Sequence, residues 1–297
     1  MKNIKIIYRA DLNFDSDFDE MLINELSDFN YSVSSTWDSK KIRMKYFNFK
    51  RRLIHQVPRQ VFISKEFSCP AELQNGLDLV KQKFEKGDNL IPHLSKGLTD
   101  LEYNDSLLND WGIYHLHLGE NLETNGSGFI QRTGPVLFVR IDKEKALFIT
   151  VLPHGSWTKQ QMVKVIHNNW PESIEAYLMK DVIGLSHVPT DDDIKTMRKL
   201  GINSAIEIEP GIVYAPIGGG LTTARTSIRI SMTLIHYNKL LPKLQKYIED
   251  NLQEIGKIVT DKTGRTEEEL FLKLVIHDYE YYVVEQKTGL SFKLGKH

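Results

Sequence analysis

Two histidines placed two residues apart form the strongest chemical pattern in this sequence. His115 and His117 lie in the segment 111–118, whose other residues are mostly apolar and suit a β-strand. Side chains two positions apart on a strand point to the same face, so the two imidazoles are predicted to lie side by side. Tyr114 and Leu116 then face the core, which predicts that both histidines lie on the open face of the sheet. The plainer alternative is a solvated strand face that happens to carry two histidines.

A third histidine and two arginines fall within the same stretch of about 40 residues. His154 stands between a predicted strand and Thr158–Gln161, which has the form of a capping box that opens a helix. The free N–H groups and the dipole of a helix start attract anions, so His154 is predicted to lie at a phosphate site. Arg132 precedes the neighbouring strand and Arg140 ends it. Both are predicted to bind that phosphate, although arginines at strand ends often only reach for water.

These side chains suit the cleavage of RNA without a metal ion or any other cofactor. One imidazole can take the proton of a ribose 2′-hydroxyl as a general base, and a second can protonate the leaving oxygen as a general acid. His115, His117 and His154 are therefore the predicted catalytic residues. Arg132 and Arg140 would stabilise the negative charge that develops on the phosphate.

A metal site is the alternative use of the same histidines. His115, His117 and His154 could supply three nitrogen ligands and leave one position open for water. The H-x-H spacing resembles the metal motif of the cupins. The sequence departs from that motif, because Glu120 stands one or two positions too early for the usual glutamate and the later proline–glycine block lacks its histidine. We therefore predict no metal.

A segment rich in basic residues and free of acids suggests a surface for nucleic acid. Its eight lysines and arginines are Lys40, Lys41, Arg43, Lys45, Lys50, Arg51, Arg52 and Arg59. An apolar stripe predicts that much of the segment forms an amphipathic helix. The predicted nucleic-acid-binding residues on it are Lys41, Lys45, Arg51 and Arg52, through salt-sensitive contacts with the phosphate backbone. The alternative is a solvated basic face without a ligand.

The elements that would position these residues indicate an α+β fold, with helices around a largely antiparallel sheet. Strand-like runs at 113–118, 136–141 and 146–152 predict a central β-hairpin system. The charged turn 142–145 joins the last two strands. Both faces of that hairpin are apolar, so other elements must cover both sides.

Composition shifts divide the chain softly into three regions. Residues 1–100 are mainly helical and include the basic helix, and residues 101–185 hold the hairpins with the histidine and arginine cluster. Residues 186–297 mix both kinds of element, with a helix predicted to begin after Thr190 and to end at Gly201. No linker separates the regions, so a single domain is the alternative.

Composition limits the possible classes of protein. The 297 residues carry a net charge of −1, so nucleic-acid binding would have to come from a local patch. The single cysteine, Cys69, excludes an intrachain disulfide and a site with several cysteines, which suits a reducing cytoplasm. Apolar runs such as 147–152 fall far short of the roughly 20 residues of a membrane helix. No signal peptide is predicted, so a cytoplasmic protein without a membrane partner is expected.

These patterns predict a nucleic-acid-directed protein, most concretely a metal-independent ribonuclease that acts on RNA. Toxins and defence effectors are a setting in which such enzymes occur. The alternative is a non-catalytic sensor or interaction protein. Its histidine face would bind an anionic ligand and its basic helix would dock on an acidic partner. A homo-oligomer or a protein partner is compatible with both.

Overall fold

The computed structural model describes residues 6–277 and 280–295. Within this part of the chain the α-helices are α1 (Phe14–Asp28), α2 (Ser39–Arg52), α3 (Gln74–Lys86), α4 (Ser106–Trp111), α5 (Gln161–Asn169), α6 (Asp191–Leu200), α7 (Ile228–Asp250) and α8 (Leu252–Thr263). Short 3₁₀ helices lie at Ala71–Leu73, Ile91–His93, Lys96–Thr99, Pro171–Ser173 and Glu175–Tyr177. The strands are β1 (Arg9–Ala10), β2 (Gln60–Ile63), β3 (Ile113–His117), β4 (Pro135–Ile141), β5 (Lys145–Pro153), β6 (Ile206–Glu209), β7 (Ile212–Tyr214), β8 (Glu269–Leu270), β9 (Leu272–His277), β10 (Glu280–Glu285) and β11 (Ser291–Lys293). The predicted α+β class is confirmed.

The chain forms two compact units. The first comprises the residues up to Tyr46 and those from Met232 onward, and the second comprises Phe47–Ser231. The limits between the units fall inside α2 and α7. Both composition shifts, near residues 100 and 185, lie within the second unit. Across the described residues, no helix combines the length and the apolar character that crossing a bilayer requires.

The first unit is built on a three-stranded antiparallel sheet in the order β11–β10–β9. Helix α1 packs against β9, and the Asp17 carboxylate accepts a hydrogen bond from the backbone N–H of Leu274. Arg43 is buried and pairs with Asp15 at 2.7 Å and with Asp19 at 2.6 Å. One member of the basic segment is therefore neutralised inside this unit.

The second unit holds a four-stranded sheet in the order β2–β5–β4–β3. Strands β3, β4 and β5 are antiparallel, which confirms the predicted hairpin system, and β2 adds to β5 in parallel. Asp142 shapes the predicted turn, because its carboxylate accepts hydrogen bonds from the backbone N–H groups of Glu144 and Lys145. The β4 residues Val136–Val139 are fully buried, so both faces of the hairpin are covered, as the apolar pattern predicts.

A short helix and a glycine set the position of β3. Asp105 caps α4 by accepting a hydrogen bond from the Leu108 N–H, and α4 ends at Gly112, whose φ is +66°. A left-handed backbone favours glycine. A Cβ at Gly112 would also lie 2.9 Å from Nη1 of Arg140 and 3.2 Å from Cα of Gly218. The chain can therefore turn directly from α4 into the strand that carries His115 and His117.

Of the two helix starts predicted in the second unit, that of α6 is confirmed and that of α5 is wrong. The capping box of α6 forms between Thr190 and Asp193, and this helix ends before Gly201 as predicted. The capping box predicted at Thr158–Gln161 is wrong, because α5 begins at Gln161 and its cap residue Gln160 makes no side-chain cap. Asp191 accepts the Gln160 N–H at 3.1 Å instead, so a carboxylate from another helix occupies this start.

Candidate active site

His115 and His117 are buried, so their predicted place on an open face of the sheet is wrong. Their exposed fractions are 6% and 4%, and Ile113 and Leu116 on the same strand are fully buried. The side-chain alternation of β3 is regular, but the loop after β5 covers the face on which the histidines lie. Trp157 of that loop packs on His115, with the two ring centroids 4.5 Å apart.

The structure nevertheless brings the three predicted histidines together. The ring of His154 stacks on that of His117 with a centroid distance of 5.7 Å and an angle of 29° between the planes. The rings of His154 and Trp157 also meet at nearly a right angle, with their centroids 4.8 Å apart. His154 is exposed, and its backbone N–H donates to Gly134 O at 2.6 Å, which fixes the loop against the start of β4. Trp157 thus lies between His115 and His154.

The hydrogen bonds of His117 define which of its nitrogens carries the proton. The backbone N–H of Thr133 donates to Nδ1 at 3.2 Å, so Nδ1 is an acceptor and the proton of the neutral ring lies on Nε2. Burial lowers the pKa of His117 to about 3, and the charge of Arg132 adds to that shift. His117 is therefore a neutral N–H donor near neutral pH.

His93 holds the backbone of His117 through a hydrogen bond. His93 is not among the candidates predicted from the sequence. It is almost fully buried, and its Nδ1 donates to the carbonyl oxygen of His117 at 2.9 Å. Burial lowers the pKa of His93, so this ring also stays neutral. The sequence held no periodic signal for this role, because His93 lies in a short 3₁₀ helix 24 residues before His117.

His115 is buried, as His117 is, and its ring packs against Trp157. Its Nδ1 lies 3.8 Å from Oδ2 of Asp105, too far for a hydrogen bond, and is buried without a partner among the described residues. Burial lowers the pKa of His115, and Asp105 opposes that shift only in part. Since Trp157 packs on this ring, His115 is placed to support Trp157 and not to meet a substrate.

Arg132 lies beside the histidines, but most of its donors are already in use. Its Nη1 donates to Leu94 O at 2.7 Å and its Nη2 to Pro92 O at 3.3 Å. Its Nε lies 3.9 Å from a carboxylate oxygen of Glu123. Arg132 therefore supplies positive charge next to His117 and few free hydrogen-bond donors.

Arg140 does not belong to the cluster, so its predicted role in binding the same phosphate is wrong. In the β3–β4 ladder Arg140 faces Ile113, whereas Val136 faces His117. The two positions on β4 are four residues apart, or about 13 Å along a strand. Arg140 donates to three backbone carbonyls at its own end of the sheet, those of Trp111 (3.1 Å), Ile217 (3.3 Å) and Ser173 (3.2 Å).

Arg51 and Arg52 hold backbone carbonyls together, so the prediction that they lie on an exposed basic face is wrong. Arg51 donates to the carbonyls of Leu108 and Gly218, both at 3.0 Å. Arg52 is buried and donates to Gly97 O at 2.6 Å and, just after that 3₁₀ helix, to Asp100 O at 3.0 Å. Of the other two predicted residues, Lys41 is exposed over the Trp37 ring and Lys45 is half-buried.

The described residues do not offer a metal centre, since no three His, Cys, Asp or Glu side chains among them are arranged to hold an ion. The three histidines meet through ring stacking around Trp157 and not through convergent nitrogens.

The chain matches no protein-family model, no curated protein and no solved structure. Its function must therefore be argued from the geometry of the site.

Proposed function

We propose that this protein cleaves RNA without a metal ion, through attack of a ribose 2′-oxygen on the adjacent phosphorus. The observation that carries the proposal is the stacked pair of His117 and His154, one ring buried and neutral, the other exposed. Two imidazoles in different environments are suited to different roles in one reaction. The products are a 2′,3′-cyclic phosphate and a free 5′-hydroxyl.

His154 is the general base in this proposal. Its exposed ring can reach a bound substrate and take the proton of the 2′-hydroxyl as the new O–P bond forms. As the bond to the 5′-oxygen breaks, the imidazolium returns that proton to the leaving oxygen. Atoms and charge balance within one residue, so no second imidazolium is required.

His117 stabilises the phosphate in this proposal instead of transferring a proton. A ring with a pKa of about 3 cannot serve as an imidazolium acid at neutral pH. Its Nε2–H, which makes no hydrogen bond within the described part of the chain, can donate to a non-bridging phosphate oxygen. A donor held in place before the reaction stabilises the developing charge. Arg132 adds positive charge behind it.

RNA cleavage in the presence of EDTA tests the proposal. His154→Ala should lower the rate constant for cleavage by about 100-fold or more, since general acid–base groups contribute that much. His236→Ala is the matched control, because His236 is also exposed but lies in the other unit, on α7. The control should cleave at the wild-type rate. Equal rates for wild type and His154→Ala would contradict the proposal.

A non-catalytic anion-binding protein is the second candidate. It is favoured by the burial of His115 and His117, which leaves His154 as the exposed ring of the three. Such a protein would bind RNA or another anion and release it unchanged. Intact substrate after long incubation of wild type in EDTA would favour this candidate.

A further inference from the structure

A second feature of Phe47–Ser231 is a cavity of about 510 Å³ whose walls combine cations with aromatic rings. Its lining includes Tyr103, Trp157, Lys195, Arg198, Lys199 and Arg225. The volume falls within the range of small-molecule sites, about 300–1,000 Å³. Neither the histidine chemistry nor the basic segment of α2 accounts for this set of residues.

The cavity has an excess of positive charge that the fold leaves unbalanced. Lys195, Lys199 and Arg225 are all exposed, and none of them forms an ion pair within the described ranges. Glu102 is the acid among the lining residues. Three unpaired cations against one carboxylate favour an anionic ligand.

Arg198 provides a buried donor at the same cavity. It is 5% exposed, and its Nε pairs with Asp110 at 2.7 Å while its Nη1 donates to the carbonyl oxygen of Trp157. Its Nη2 has no hydrogen-bond partner in the described part of the chain. The guanidinium also lies over the Trp111 ring, 4.1 Å from its centroid, so Arg198 contributes a buried guanidinium to the cavity wall.

Arg225 has an unfavourable backbone conformation. Its φ is +62°, in the left-handed region that side chains other than glycine and asparagine seldom adopt. The turn is closed by hydrogen bonds from Arg225 N to Thr222 O at 2.8 Å and between the hydroxyls of Thr222 and Thr226 at 2.8 Å. Backbone strain of this kind is often found at ligand sites.

Trp157 joins this cavity to the histidine cluster. The residue lines the cavity, and its ring also contacts His154 at 4.8 Å and His115 at 4.5 Å. A ligand on Trp157 would therefore lie next to the group that we propose as the general base. Aromatic side chains beside cations are the usual means of holding single-stranded nucleic acid, with a base on the ring and phosphates on the cations.

We propose that the cavity binds one nucleotide of single-stranded RNA, next to the phosphate that is cleaved. Its base stacks on Trp157 or Tyr103, and its phosphates lie against Lys195, Lys199 and Arg225. The identity of the ligand as substrate rests on the proposed ribonuclease function. Binding by stacking and charge predicts little preference among the four bases.

Binding of a 2′-O-methyl RNA oligonucleotide, measured by fluorescence anisotropy in EDTA, tests the site without catalysis. This probe has no free 2′-hydroxyl and stays intact. Lys195→Gln, Lys199→Gln and Arg225→Gln combined should weaken binding about tenfold or more at 0.1 M salt. The slope of log affinity against log salt should also fall by about 1–2, since each phosphate contact contributes about 0.7.

The control removes three charges of the same sign elsewhere on the same unit. Lys65, Lys143 and Lys164 are exposed, line no part of the cavity and can be changed to Gln together. This variant should keep the wild-type affinity and nearly the wild-type salt slope. Equal weakening by both triple variants would overturn the site, because it would show only the effect of net charge.

Two further arms decide the chemistry of the ligand. Trp157→Leu should weaken binding of the oligonucleotide and leave binding of a polyglutamate peptide of equal charge unchanged. Wild type that binds the peptide as tightly as the oligonucleotide would overturn the nucleotide assignment. Failure of the ribonuclease proposal gives a different result. Wild type would then leave RNA uncleaved, while all the binding results above would stay as expected.

Discussion

At the scale of single residues, the ring of His117 is buried in a position that disfavours its protonated form. It is 4% exposed, it already accepts a hydrogen bond from Thr133, and its pKa is lowered from 6.5 to about 3. An unfolded chain returns the ring to its ordinary pKa. Between these two values the unfolded state binds a proton that the folded state does not, so the free energy of unfolding falls as pH falls.

Measuring the free energy of unfolding at two pH values tests whether the folded protein holds His117 in its neutral form. The free energy of unfolding in urea should drop between pH 7.5 and pH 5, and His117 should account for about 1–2 kcal/mol of the drop. His117→Gln should remove that part of the pH dependence, because glutamine does not titrate but can still accept from Thr133. His236→Gln serves as the exposed control. An identical pH dependence for wild type and His117→Gln would show that the ring is not held neutral.

The sequence predicts the pairing of these rings better than their surroundings. Strand alternation correctly places His115 and His117 on one face, because that period belongs to the backbone. It does not reveal what covers the face. Trp157 comes from a loop 40 residues later, and neither its position nor that of His93 follows from any local pattern.

At the scale of elements, Arg51 and Arg52 of α2 connect this helix to other segments through hydrogen bonds to backbone carbonyls. Arg51 crosses from α2 to the carbonyl of Gly218, which also accepts from Nε of Arg229 at 2.9 Å. Gly218 itself lies so close to α4 that a Cβ would sit 2.3 Å from the backbone nitrogen of Gly112. The carbonyl of Gly218 therefore joins α2 to the loop before α7, and the close approach of Gly218 to Gly112 places that loop against the start of β3.

Substitution in α2 separates a structural from a binding role. Arg51→Gln should lower the free energy of unfolding by about 2–4 kcal/mol, since it removes charged donors from buried carbonyls. Lys41→Gln should change it by less than about 0.5 kcal/mol, as expected for an exposed side chain. Urea unfolding of the two variants gives both values. Unchanged stability for Arg51→Gln, together with weaker RNA binding, would restore the basic helix as an interface.

Elements whose signals are local agree with the sequence, and those that depend on distant partners do not. The β4–β5 hairpin follows from two apolar runs and one charged turn, and α6 follows from its own capping box. The start of α5 depends on Asp191, which lies 31 residues after Gln160. A capping rule applied to neighbouring residues cannot detect such an acceptor.

At the scale of the whole molecule, the two units divide the chain in a way that composition does not show. The first unit combines the beginning and the end of the sequence, and its limits fall inside helices. A linker signal is therefore absent where the units meet in sequence. The α+β class was predictable because it depends on the number and the order of elements, whereas the grouping of elements depends on long-range packing.

The candidate site and the cavity both belong to one unit, Phe47–Ser231. Its histidines, Thr133 and Trp157 come from a 3₁₀ helix, a strand and two loops. A site assembled from so many segments has no compact sequence motif. This explains why the three histidines could be proposed together from their spacing, while their separate roles required the structure.

The chemical ends of the RNA products test the central claim most directly. Wild-type protein, incubated with an RNA oligonucleotide in EDTA, should give fragments that end in a 2′,3′-cyclic phosphate and begin with a 5′-hydroxyl. The matching 2′-O-methyl oligonucleotide should stay intact, because its 2′-oxygen has no proton for His154 to remove. Mass spectrometry of the fragments identifies both ends. Intact RNA, fragments with 3′-hydroxyl and 5′-phosphate ends, or cleavage of the 2′-O-methyl strand would each contradict the claim.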